Sequence, residues 1–160
     1  MNIIIGLILL LISLITFVIS LGGIIYQHIV EFPNWKTDLP GSLSSYRSFF
    51  KRADFGNFFK IFMPTSSICL VIAIPLLWNE PSTANIWILL AMSGLVLTAV
   101  FTNNYFVPKH KKLFSDEITQ TNVSELTILA TQWGKGNLIR IGIMFLTVIS
   151  FLKALSIYLT

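Results

Sequence analysis

The chain has 160 residues, 54% of them hydrophobic and only 11% charged, with a formal net charge of +4. A soluble domain carries about 25% charged residues, so the composition excludes an ordinary soluble enzyme and indicates a single integral membrane domain over residues 1–160. The one cysteine, Cys69, excludes an intrachain disulfide and a thiolate metal cluster, and the positive charge comes with no nucleic-acid motif, so no nucleic-acid partner is expected.

Met1 to Val30 contains no charged residue, and a bilayer is crossed by about 20 apolar residues. The segment lacks a basic start and a small-x-small cleavage site, so it reads as a retained span over about residues 3–30 rather than a leader. Its last turns carry Tyr26, Gln27, His28 and Glu31, just before Pro33 and Trp35. In the loop that follows, "SLSSYRSFFKRADFGNFF" mixes aromatics with Arg47, Lys51 and Arg52 and predicts an interfacial helix. The second span covers about 57–78 and contains Pro64 and Pro75, which kink a membrane helix. The third covers about 84–107, ended by Pro108. In "NVSELTILATQW", Asn122 and Glu125 form a capping-box-like start, and Leu126, Leu129, Ala130 and Trp133 share a face. That predicts a short helix leading into the fourth span, about 137–159.

The fold class is therefore all-α: a four-transmembrane-helix bundle with short interfacial helices in the two long loops. Of the 11 basic residues, all but Lys153 lie in or beside the loops 31–56 and 108–136. The positive-inside rule then puts both long loops in the cytoplasm and both termini outside it, in an inner (cytoplasmic) membrane.

Polar residues inside the spans are spread unevenly. Toward the cytoplasmic end the first span carries Tyr26, Gln27, His28 and Glu31, and the second Asn57 and Lys60. The third carries Asn103, Asn104 and Tyr105, and the fourth opens after Trp133 with Asn137 and Arg140. The outer halves hold little beyond serine, threonine and apolar side chains. His28 and Glu31 are three apart, and Trp133, Asn137 and Arg140 fall at i, i+4 and i+7, spacings that share a helix face. Trp35 continues the His28–Glu31 face only if the helix runs on, which Pro33 argues against. Ionisable groups at membrane depth turn inward and pair, so Glu31 and Arg140 are expected partners. The pattern predicts a polar pocket near the cytoplasmic leaflet, walled by Tyr26, Trp35, Tyr105 and Trp133.

Polar and aromatic residues also gather at any membrane interface, and Asn or His serves as interhelical glue. Each residue alone reads as structural; the asymmetry between the two ends is what points to a site. His28, Glu31 and His110 are metal-ligating types, but a two-metal bundle needs several Glu-x-x-His pairs and the chain has none, so no metal site is expected. One histidine suffices for a haem, so His28 as axial ligand stays open. No G-x-S-x-G, H-E-x-x-H or phosphate loop is present.

The stretch "GGIIYQHIVEFPNWKTDLPGSL" resembles the first-helix signature of the anthrone oxygenase-like family of small four-helix membrane proteins, through Gly22, Gly23, Tyr26, Pro33, Trp35, Pro40, Ser42 and Leu43. Asn57 with Phe58, Asn103 or Asn104 with Pro108, and Trp133 with Asn137 and Arg140 extend the resemblance over nearly the whole chain. It implies oxygenation of a polyketide anthrone to an anthraquinone, with no cofactor. His28 is then the general base. Asn103, Asn137 and Arg140 bind the developing oxyanion, and Glu31 orients His28 or pairs with Arg140. Tyr26, Trp35, Asn57, Asn104 and Trp133 complete the substrate site. The expected ligand is a lipophilic aromatic that partitions from the lipid bilayer. A second reading stays open: a non-catalytic membrane binder, carrier or accessory subunit, with haem or metal on His28. Assembly as a homo-oligomer is compatible with either. A transporter is disfavoured, because no charged path crosses the outer half.

Overall fold

The computed structural model describes residues 2–78, 82–114 and 122–159. Among them every element is a helix. Helix α1 is Asn2–Lys36, α2 Gly41–Phe49, α3 Phe55–Leu77, α4 Ser82–Leu113 and α5 Val123–Leu159. All except α2 are long and apolar enough to cross a membrane, so the chain is a multi-pass membrane protein. The core of the expected outer turn, 79–81, and part of the second long loop, 115–121, lie outside the described residues.

Hydrocarbon offers backbone groups no partner, so the long Leu- and Ile-rich runs must be helices. Their register follows from which residues are small or interlock. Leu10, Leu14, Phe17, Leu21 and Ile24 recur at alternating steps of four and three, and all are buried on one stripe of α1. They share a core with Leu70, Ala73 and Leu77 of α3, Leu95 of α4, and Met144 and Phe151 of α5. Helix α1 packs chiefly along α3, α4 chiefly along α5, and an α1–α5 contact joins the two pairs. Midway along α1, Ser13 Oγ donates to the Ser66 carbonyl at 2.8 Å, and Ser66 Oγ returns a bond to the Ser13 carbonyl at 2.9 Å. Two small polar residues thus let these backbones approach closely, as membrane helices favour.

The helices run further than the prolines suggest. Helix α1 passes Pro33 to Lys36, and α4 passes Pro108 to Leu113. In a regular α-helix a proline ring strikes the carbonyl four residues back and leaves it without a donor. Both helices avoid this with one wide turn. The Phe32 N–H bonds the Gln27 carbonyl, and the Val107 N–H bonds the Thr102 carbonyl, each five residues back. The next residue in each case is the proline, which enters the first turn of the restarted α-helix, where an N–H is not required.

The other difference is at the fourth span. The expected separate lead-in helix is fused to it, so α5 is continuous from Val123. Gly134 and Gly136 do not break it. Both are buried, and the space a Cβ would take is filled by the Phe32 ring at Gly134 and the Tyr105 ring at Gly136. The first-loop helix appears as α2. A second apolar cluster forms at this end of the molecule from Trp35, Leu43, Phe106, Leu113, Leu126, Ala130 and Trp133. We refer to it as the basic end.

The α4–α5 pair depends on Gly94. A Cβ there would collide with Thr147, whose hydroxyl is held by the Ile143 carbonyl at 2.8 Å. Gly94→Ala should therefore destabilise the fold by about 1–3 kcal/mol, the usual cost of overpacking. Gly142→Ala, where nothing lies within 4 Å of the added carbon, should not. Thermal melts of the two variants in the same detergent check this.

Candidate functional site

Each wide turn holds one residue more than an α-turn, which rotates the side chains beyond it by roughly 100°. Around the wide turn of α1, Gln27, Glu31 and Trp35 are buried and His28 is half-buried. Within the wide turn of α4, Phe106 is buried and Asn103 and Asn104 are exposed. The basic end is built from what these turns present, together with α2 and the first third of α5.

Two buried polar assemblies result. In the first, Asn137 Nδ2 donates to the Ile24 carbonyl at 3.4 Å, tying α5 to α1. Its Oδ1 accepts Arg140 Nε at 3.1 Å and also Arg140 Nη2. The guanidinium carbon lies 4.0 Å from the centre of the Phe106 ring. Arg140 is only 6% exposed, so an amide oxygen and an aromatic face hold a cation taken out of water. In the second assembly, the Tyr46 hydroxyl donates to Glu31 Oε2 at 2.6 Å. Burial, and then the Glu31 carboxylate, push the Tyr46 phenol well above its ordinary range, so it stays protonated. The expected Glu31–Arg140 pairing is thus replaced: Glu31 takes Tyr46 from α2, and Arg140 takes Asn137 from one turn earlier in its own helix.

Beside the second assembly lies a cavity of about 800 Å³, within the range of small-molecule sites. Its walls come from α2 and the turn after it, the start of α3, and the end of α4, with Gln27 of α1 contributing from the interior. Tyr46, Phe50, Phe55 and Phe114 supply aromatic surface, and Gln27, Ser44, Ser48 and His110 supply hydrogen-bonding groups. Arg47, Lys51, Lys111 and Asp54 are charged. His110 is fixed from behind: Trp133 Nε1–H donates to its Nε2 at 2.7 Å, with the two rings stacked at 6.0 Å.

Of the ten residues proposed from sequence, Trp35, Glu31, Trp133, Asn137 and Arg140 are buried together at the basic end. Trp35 packs edge-on against both Phe32 and Trp133 and borders a smaller hollow behind Tyr46. Tyr26 is exposed and stacks on Phe55. His28 is half-buried, lies on Phe32 at 5.8 Å, and does not line the cavity; its Nδ1 is buried with no hydrogen-bond partner. Asn57, Asn103 and Asn104 are exposed and line neither the cavity nor the smaller hollow. Asn57 sits in the first turn of α3, its backbone N–H capped by Asp54, and the two α4 asparagines lie within the wide turn, off the buried face. Sequence reasoning grouped Gln27 with the polar residues at this end but gave it no role, and it placed neither Tyr46 nor His110 in the site. A proline inside an otherwise unbroken apolar helix was the available signal that α4 runs on to His110. Among the described residues, no group of three His, Cys, Asp or Glu side chains is placed to hold a metal ion.

A family model described as anthrone oxygenase matches residues 55–150. The matched stretch contains α3, α4 and most of α5, with His110, Trp133, Asn137 and Arg140; Gln27, Glu31 and Tyr46 lie before it. Comparison with curated proteins and with solved structures returns no match.

Asn137 should matter more than its neutral charge suggests. Asn137→Ala leaves Arg140 buried without its acceptor, a loss of about 2–3 kcal/mol. Adding Arg140→Met should restore much of that loss, because an apolar chain of similar length needs no acceptor. Denaturant melts of the two single variants and the double variant give the coupling.

Proposed function

This chain belongs to the anthrone oxygenase family, and from that membership we propose that it is a membrane-embedded oxidoreductase acting on a lipophilic aromatic in the cavity at the basic end. In this reading the basic end faces the cytoplasm, both termini lie outside it, and the substrate partitions in from the inner-membrane bilayer. The observation that carries the reading is the Tyr46–Glu31 hydrogen bond at the cavity wall.

Converting an anthrone to an anthraquinone requires a base, an electron-rich intermediate and oxygen. The methylene between the two rings loses a proton, and the resulting carbanion, stabilised as an enolate on the opposite carbonyl, is oxidised by O₂. One oxygen atom stays on the carbon as the new carbonyl, and the other leaves as water with the two hydrogens. The Tyr46 oxygen accepts the first proton while its own proton passes along the 2.6 Å bond to Glu31, a relay in which the buried carboxylate is the ultimate base. The aromatic walls exclude water from the carbanion, and the Gln27 amide offers a donor to the enolate oxygen. Asn137 and Arg140 act at one remove, holding the turn of α1 that presents Gln27. This moves the base from His28 to Glu31, because His28 does not reach the cavity.

The test is conversion of anthrone to anthraquinone by the purified protein in phosphatidylcholine nanodiscs, followed by absorbance. Glu31→Gln and Tyr46→Phe should each lower kcat by about a hundredfold or more, while His28→Ala retains most of it. Loss confined to His28→Ala would return the base role to His28. A wild-type protein that binds anthrone and leaves it unchanged would mark a non-catalytic binder.

A further inference from the structure

The cavity wall is unbalanced in charge and in hydrogen-bonding type. Lys51 and Lys111 line it, as does Arg47, while Asp54 is the one carboxylate among the described lining residues. The Asp54 carboxylate is already engaged: its Oδ1 accepts the Asn57 backbone N–H at 3.1 Å and caps the start of α3. The positive end of a helix therefore offsets part of its charge. Among the described lining residues, Lys51 and Lys111 then outnumber the carboxylates beside a wall of aromatic rings.

His110 adds to the same tendency. An indole N–H can only donate, so the bond from Trp133 makes Nε2 of His110 an acceptor, and a neutral imidazole then carries its proton on Nδ1. The second ring nitrogen is a donor, on a residue that lines the cavity. Trp133, buried at 2% exposure, thus sets what a side chain on the neighbouring helix offers to a ligand.

We propose that the cavity selects acidic planar aromatics, molecules bearing a phenolate or carboxylate oxygen, and that Lys51, Lys111 and the Nδ1–H of His110 read that anionic oxygen. The inference rests on the reading that this cavity is the substrate site, and adds to it the charge of the ligand and the residues that recognise it.

Calorimetric titration of the full chain, in zwitterionic detergent, with anthraquinone-2-carboxylate and with its neutral amide tests it. The acid should bind at least about tenfold tighter than the amide, and added salt should narrow the gap. Replacing both cations, Lys51→Gln with Lys111→Gln, should weaken the acid about tenfold and leave the amide nearly unchanged. His110→Gln, which keeps an N–H donor, should hold the acid better than His110→Phe. Lys109→Gln is the control, since Lys109 lies over the Tyr105 ring and does not line the cavity. Equal affinity for acid and amide, equal weakening of both by the double substitution, or displacement of the acid by phosphatidylglycerol at the same concentration would each overturn the proposal. Binding is read without turnover. Charge-indifferent binding removes this inference alone, whereas a protein that binds the acid but does not oxidise anthrone removes the functional reading alone.

Discussion

The basic end depends on one backbone constraint: a proline in a helix that must not end. Pro33 and Pro108 each follow a turn closed five residues back instead of four. That turn lets each helix continue past its proline, to Lys36 and to Leu113. Without it, α1 would stop short of Trp35 and α4 short of His110, and the second apolar cluster would lose two of its supports. Wide turns of this kind are frequent at functional sites, and here each one lies beside residues that wall the cavity or its supports.

What the turns present is then secured by two short polar bonds that differ in purpose. Asn137 spans two helices, bonding the Ile24 carbonyl of α1 and the Arg140 side chain of α5, so it fixes geometry. Tyr46 reaches from α2 to Glu31 of α1, so it links a loop helix to a membrane helix at the cavity edge. The first bond buries a cation, the second a carboxylate, and the charges are kept in separate assemblies. Between and beneath them, Trp133, Phe32, Trp35 and Phe106 form a packed aromatic floor.

Much of this was legible in the sequence. The four crossings follow from apolar length alone, the interfacial helix from aromatics interleaved with arginine and lysine, and the gathering of polar side chains at one end from simple inspection. Asn137 and Arg140 were placed on one face by spacing because α5 is a regular helix there. His28, Asn103 and Asn104 were expected in the pocket from their place near one end of a span, a signal that does not say which face a side chain takes, and all three lie off the cavity wall. Tyr46 and His110 were seen as loop aromatics and loop bases. Only the folding of α2 back over α1, and the run of α4 past Pro108, brings them to a common wall.

Where a flat aromatic ligand sits decides between the cavity and the face of α1 that carries His28. A crystal structure of the protein soaked with anthraquinone is the most direct measurement. The ring system should lie in the cavity between Tyr46 and His110, against Phe50, Phe55 and Phe114. Ligand density lying against His28 on the outer face of α1, with the cavity filled by ordered water, would contradict it.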